Sequence, residues 1–350
     1  MSIIIIWFMG ENRLKTASKF LSVLSIGLLA ACGGGETNSD QSSNQGNSEE
    51  SITVSDIHDE HTFESIPEKA VVLDWIFAEN LLSLGIEPTG MAEIESYQEW
   101  VDIGSEGLEN TVDVGSRSEP NLEAIAQLEP DVIYAINFRA DAMMEELEKI
   151  APVLVYNPYP EEELGQTQYE EMEETYLEMA KLFDKADEAN DVLADLETTY
   201  EEAQQALSEI ELDTKEFALT MAYSDNQAPA FRISTPNALA VEILERMGLE
   251  NVYDSGSFEP YGFSTVGVEE FTKVEDANLL HIVQGDDNVF ENQLKDNSVW
   301  NDLTFTKEDR VYALGGDTWP YGGPLSAEKL VHRTLECRSI ENGCNEIPKK

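Results

Sequence analysis

Arginine is scarce in this chain, and two of its eight arginines stand where a guanidinium could do chemistry. Arg117 sits in the Gly-Ser-rich loop Gly115-Ser116-Arg117-Ser118, just ahead of a helix, where its fork could project into a cleft beside helix-end N–H donors. Arg232 closes a strand ahead of Ser234-Thr235-Pro236, a place suited to a facing wall. A planar guanidinium matches anionic or strongly polarised oxygens in a two-pronged way that an ammonium does not. Each has a structural reading beside the functional one: Arg117 could pair with Glu119 or another carboxylate, and Arg232 could form a salt bridge. For Arg139, after the strand that ends at Ile136, the ion-pair reading leads. Tyr223, Tyr261, Trp319 and Tyr321 fall in loops or at strand ends, where large rings are wasted on water unless they wall a site, and Trp75 is their counterpart earlier in the chain. Trp319-Pro320-Tyr321-Gly322-Gly323-Pro324 is the clearest case, because a stiff, glycine-punctuated loop presents rings without burying backbone.

Other chemistries find less support. There is no Gly-x-Ser-x-Gly elbow, no His-Glu-x-x-His and no Walker loop, so an anchored hydrolase is disfavoured and no catalytic residue is assigned. Asp56, His58, Asp59 and His61 invite a metal reading, but their spacing suits a polar hairpin turn. His281 lies on a buried-strand pattern and His332 on the last helix.

The elements that must position these residues sit in a chain of 350 residues with 21 Lys plus Arg against 70 Asp plus Glu, a formal charge of −49. Such a surface repels phosphate backbones, which excludes nucleic acid as a partner, and it suits a medium of high ionic strength. With 41% hydrophobic residues there is enough apolar material for a core. Residues 1–31 read as a signal peptide: Arg13, Lys15 and Lys19 precede the apolar run Phe20–Ala31, too short to span a bilayer as a mature helix; Met9 is an alternative start. Residues 32–50, rich in Gly, Ser, Asn and Gln, read as a flexible tether. Residues 51–166 form an α/β lobe with an opening hairpin at Ser51–Phe63, strands at Ala70–Asp74, Asp131–Ile136 and Val153–Tyr156, and helices at Phe77–Leu84, Asn121–Leu128 and Ala140–Ile150. Residues 167–211 are a helical linker that opens on the capping box Thr167-Gln168-Tyr169-Glu170, with a possible break near Asp184. Residues 212–336 are a second α/β lobe, and residues 337–350 a tail. Cys337 and Cys344 are close enough in sequence for a local disulfide, with two free thiols as the alternative.

Four local motifs carry a family resemblance. Val114-Gly115-Ser116-Arg117-Ser118-Glu119-Pro120-Asn121-Leu122-Glu123-Ala124-Ile125, continued by Leu128-Glu129-Pro130-Asp131-Val132-Ile133, resembles the signature of ferric-siderophore and cobalamin substrate-binding proteins. Ile233-Ser234-Thr235-Pro236-Asn237, Tyr261-Gly262-Phe263-Ser264-Thr265-Val266 and Gly322-Gly323-Pro324-Leu325-Ser326-Ala327-Glu328 agree with it, so the likeness runs from about Ser51 to Glu336. Leu29-Ala30-Ala31-Cys32 resembles a lipobox, whose cysteine becomes the acylated N-terminus. The resemblance implies two Rossmann-like α/β lobes bridged by a long rigid α-helix. Between them a ferric siderophore or ferric citrate complex is held for an ABC permease and its ATPase. No resident cofactor is implied, since the iron travels inside the chelate; haem, cobalamin or a bare metal ion are alternative cargoes. The protein is then a monomer at the outer face of the cell membrane, held by lipid alone. One acidic residue on each lobe, Glu123 and Glu269 (with Glu270 beside it), matches the positions that dock onto the permease.

Overall fold

Short strands buried along their whole length, such as those at Val132–Ile136, Val153–Tyr156 and Asn278–Ile282, build the two main sheets. The computed structural model describes residues 51–210 and 212–339; the signal peptide, Cys32, the tether, Cys344 and the end of the tail lie outside the described residues. A hairpin of β1 (Ile52–Ser55) and β2 (Glu60–Phe63) comes first. Its turn is tied by Asp56, whose Oδ1 accepts from the backbone N–H groups of His58 and Asp59 at 2.8 and 2.9 Å; His61 Nε2 lies 3.2 Å from the other carboxylate oxygen.

The first lobe is a five-stranded parallel sheet of β3 (Ala70–Val72), β4 (Gly90–Met91), β5 (Val112–Asp113), β6 (Val132–Ile136) and β7 (Val153–Tyr156), in the order β5-β4-β3-β6-β7. Successive strand residues serve opposite faces: Ala70 and Val72 join one core cluster while Val71 and Leu73 join another, so both faces are covered, as a parallel sheet requires. α1 (Trp75–Ser83) begins on the cap Asp74, and α2 (Leu122–Leu128) on Asn121, whose side chain accepts from Ala124 N–H. The helix expected over Ala140–Ile150 is instead two single turns, Asn137–Ala140 and Met144–Leu147.

The chain order of that sheet reverses between β3 and β6, and ligands of such sheets lie beyond the strand carboxyl ends at the point of reversal. Asp74 and Trp75 follow β3, Glu93 follows β4, Arg117 follows β5, Phe138 and Arg139 follow β6, and Tyr159 follows β7. The topology thus delivers Asp74, Trp75, Glu93, Arg117, Phe138, Arg139 and Tyr159 to one edge of the sheet.

The linker is two helices rather than one. α3 (Gln168–Leu182) opens on the capping box, with Thr167 and Glu170 each satisfying the other's backbone N–H, and α4 (Ala186–Glu209) follows after Asp184 takes a left-handed φ of 55°. α3 is the true bridge: Tyr169 and Met172 pack into the core of the second lobe, Met179 and Leu182 into that of the first. α4 instead buries Leu196, Tyr200, Ala203 and Leu207 wholly within the second-lobe core.

In the second lobe β8 (Glu216–Asp225) is central. It is antiparallel to β9 (Ala228–Ser234) and parallel to β10 (Glu250–Asn251) and β12 (Asn278–Ile282); β11 (Phe263–Val266) lies outside β9 and β13 (Val311–Ala313) outside β12. α5 (Leu239–Arg246) and α6 (Pro324–Ser339) cover one face. α6 runs past Leu335 and carries Cys337 in its last turns, where the sequence suggested a loose tail; the thiol is buried and donates to Ala313 O at 2.7 Å.

Side chains also lock the lobes. Glu79, on α1 and 1% exposed, accepts from Ser326 N–H at 2.7 Å and from its hydroxyl at 2.6 Å at the start of α6. Gly322 and Gly323 admit this approach, since a Cβ on Gly322 would collide with Ser326 and Glu79 and one on Gly323 with Asn80. Gln168 Oε1 accepts from Leu239 N–H at 2.9 Å, and Lys329 Nζ donates to Val101 O at 3.0 Å. These contacts tie the two lobes together beside their cleft.

Candidate ligand-binding site

Aromatic rings from the two lobes meet across this cleft. Trp75 and Trp100 of the first lobe lie 5.0 and 6.3 Å from Trp319 of the second, and Trp319 is 5.2 Å from Tyr321. The chain of rings continues through Phe263, 6.1 Å from Tyr321, to Tyr261, which touches Tyr159 at 5.2 Å and Phe138 at 5.7 Å back on the first lobe. Edge-to-face pairs predominate, the arrangement that aligns a ring's positive rim with its neighbour's negative face.

Three guanidinium groups border these rings. Arg232 lies 4.8 Å above the Phe263 ring and 5.4 Å from Tyr223, and it faces the Tyr321 hydroxyl. Its Nε is buried without a partner. Among the described arginine side chains it alone has no carboxylate within ion-pair distance, in a chain with 70 of them. Arg139 is 5.1 Å from the Phe138 ring and is bonded to Asp74 Oδ2. Arg117 stacks on Trp75 at 3.5 Å, its Nε donates to Glu93 Oε2 at 2.9 Å, and Asp74 Oδ2 is 3.9 Å away.

These placements refine the sequence reading. Arg117 is paired, but with Glu93 rather than Glu119. Trp75 is 3% exposed and serves as the platform beneath Arg117, not as an open wall. Tyr261 is 45% exposed, while Tyr223, Trp319 and Tyr321 are half-buried. Glu123, in the first turn of α2, and Glu269, in the turn Val268–Lys273, are both exposed. Glu93, Asp74, Phe138, Tyr159, Phe263 and Trp100 were not singled out by the sequence. The signal available for most of them was position, since they follow parallel strands.

Burial shapes the electrostatics. Desolvation lowers the pKa of both Arg117 and Arg139, and for Arg117 the bond to Glu93 offsets part of it. Burial also raises the pKa of Tyr159 and Tyr321, so both are neutral hydroxyls able to donate or accept. Beneath the rings a cavity lined by Tyr159, Tyr321, Gln168, Glu171 and Thr175 reaches α3. Desolvation lifts Glu171 to about 7 although Thr175 and Gln166 hydrogen-bond it. A raised acid pKa means the folded state binds more protons than the unfolded one between the ordinary carboxylate range and about 7, so stability falls as pH rises through that window. Glu171→Gln should therefore raise the melting temperature at pH 8 more than at pH 4.5; an equal shift at both would show that Glu171 carries no such cost.

His281 is buried against Phe290 at 4.0 Å and desolvation lowers its pKa to about 3, so it is a neutral core residue; His332 is exposed beside Glu328. Among the described residues no group of three or more His, Cys, Asp or Glu could hold a metal ion, and no helix is long and apolar enough to cross a membrane.

The periplasmic binding protein family model matches residues 71–318, nearly all of both lobes. The chain belongs to that family. It is 28% identical to the Fe(3+)-citrate-binding protein YfmC of Bacillus subtilis over 324 residues, covering 91% of this chain and 97% of that protein. It is 24% identical to the probable siderophore-binding lipoprotein YfiY of the same organism, over 91% of this chain and 95% of the relative. In structure it is similar to the siderophore-binding protein FhuD of Vibrio cholerae, solved with Fe3+-Desferal bound, with a TM-score of 0.67 and 27% identity over 77% of this chain and 97% of that one. The two-lobed α/β architecture expected from the motifs is the architecture of this family member.

Proposed function

We propose that the protein is the substrate-binding receptor of an ABC importer and that it holds a ferric siderophore or ferric citrate complex between its lobes. The observation that carries the reading is Arg232, a guanidinium set among rings at the cleft with no carboxylate beside it. Leaving a cation unpaired and partly dehydrated is unfavourable unless an anionic ligand completes it. The rings supply the apolar surround for a bulky chelate, and the named relatives point to ferric citrate and ferric siderophores. Because rings of the two lobes touch at Tyr261–Tyr159 and Tyr261–Phe138, a chelate enters by parting the exposed Tyr261 and Phe138 from each other and from the half-buried Tyr159. Acylation of Cys32 would tether the receptor at the outer membrane face, and Glu123 and Glu269 would meet the permease, one from each lobe.

Titration with ferric citrate, a ferric hydroxamate and a ferric catecholate, followed by quenching of tryptophan fluorescence, tests the reading. At least one should give a saturable response, since Trp100 and Trp319 sit among the site rings; saturation by none, with normal folding, overturns it. Arg232→Ala should weaken the preferred complex by about 1.5–3 kcal/mol, the range for a charge-assisted contact. An unchanged affinity would remove Arg232 from the site.

A further inference from the structure

The guanidinium groups of the cleft are not equivalent, and the difference lies in their carboxylate partners. Arg117 is held by Glu93 through both its side-chain Nε and its backbone N–H, at 2.9 and 3.0 Å. Arg139 is held by Asp74, which is 8% exposed and also lies 3.9 Å from Arg117. Neither carboxylate is a stray surface group: Asp74 Oδ1 caps α1 by accepting from Trp75 N–H at 2.8 Å, and Glu93 occupies a left-handed backbone position with φ 57° that aims it at the Arg117 loop. The first-lobe wall therefore presents two cations and two anions, and only Arg232, on the opposite wall, is uncompensated. Glu171, below the rings, is partly ionised at neutral pH and lowers the balance further.

We propose that Asp74 and Glu93 are specificity-determining residues that set the charge of the ligand: by cancelling Arg139 and Arg117 they leave a cleft matched to a chelate with about one net negative charge, presented as a carboxylate to Arg232. A complex that buries three negative charges there would meet one free cation and two nearby carboxylates. In a dehydrated cleft that mismatch outweighs added apolar contact, because like charges are poorly screened. The neutralised Arg117 and Arg139 still donate hydrogen bonds to polarised oxygens through the N–H groups their partners leave free.

This inference rests on the receptor reading, and the two fail differently. The probes are one ferric trishydroxamate scaffold with an ammonium, acetylated or succinylated tail, giving net charges of +1, 0 and −1 by design, and a ferric triscatecholate of −3. Wild type should bind the −1 member tightest of the scaffold series, by about tenfold over the +1 member, and bind it more tightly than the −3 complex. Glu93→Gln and Asp74→Asn remove the charge and each keep one acceptor oxygen, enough for the Arg117 backbone N–H and for the Trp75 N–H cap respectively, while giving up the contact to the guanidinium. Each should improve the −3 complex by about tenfold relative to the −1 member, and Arg232→Ala should flatten the dependence on tail charge. Damage to the fold alone would weaken all probes in proportion and leave their ratios unchanged. Equal wild-type affinity across the tail series, preference for the −3 complex, or unchanged ratios in the single variants would each overturn the inference. If either variant melts early, the other variant and the wild-type series still decide it. Saturation by no probe would instead sink the receptor reading itself.

Discussion

Glu79→Ala is expected to destabilise the protein by about 2–3 kcal/mol, the cost of leaving two buried donors without their acceptor. The substitution leaves Ser326 N–H and its hydroxyl without an acceptor inside the fold, and it takes a negative charge away from the N-terminus of a 16-residue helix. Desolvation raises the Glu79 pKa, so its burial is itself unfavourable; the two short hydrogen bonds and the nearby Lys329 offset that cost. Glu79→Gln, which keeps shape and one acceptor, should lose less. Because Glu79 belongs to the first lobe and Ser326 to the second, the alanine variant should also release ligand faster. Urea unfolding with an unchanged m value and a lowered midpoint, together with a faster chelate dissociation rate, is the expected pair of results. A midpoint equal to wild type would show that the latch contributes nothing.

The same latch explains what the sequence could and could not disclose. Gly322-Gly323-Pro324 read as a stiff loop able to present Trp319 and Tyr321, and that loop does bring those rings to the cleft. Its glycines answer to a second demand, the passage of Glu79 and Asn80, which no local pattern announces because Glu79 and the Ser326 it binds are 247 residues apart. Local apolar patterning, as short unbroken runs for strands and helical spacing for helices, located most of both within a few residues. It failed over Ala140–Ile150, where helical spacing was matched by residues that instead pack as two separate turns. Arg117 and Arg232 stood out because cations are rare here. Glu93, Asp74 and Glu79 did not, because one carboxylate among 70 carries no contrast until the fold shows which are buried and what they hold. Trp75 misled for a related reason: a ring at a strand end can wall a site or lie beneath it, and only the stacking of Arg117 on its face distinguishes the two.

Trp319 is where fold and site are hardest to separate, and its replacement should show the second large effect. Its ring borders the cores of both lobes and contacts Trp75, Trp100 and Tyr321, so Trp319→Ala removes a shared wall rather than a single contact. Full burial of a large aromatic side chain makes truncation cost about 3–5 kcal/mol; because Trp319 is half-buried, about 2–3 kcal/mol of stability should be lost. Chelate affinity should fall by at least about tenfold, since the void lets Trp75 tilt, and with it the Arg117 stacked 3.5 Å above. Trp319→Phe restores a ring with no N–H and should recover most of both losses. Thermal melts and titrations on the two variants separate the contributions: recovery of stability without affinity in the phenylalanine variant would place the indole itself against the ligand, whereas full affinity in the alanine variant would exclude this wall from binding altogether.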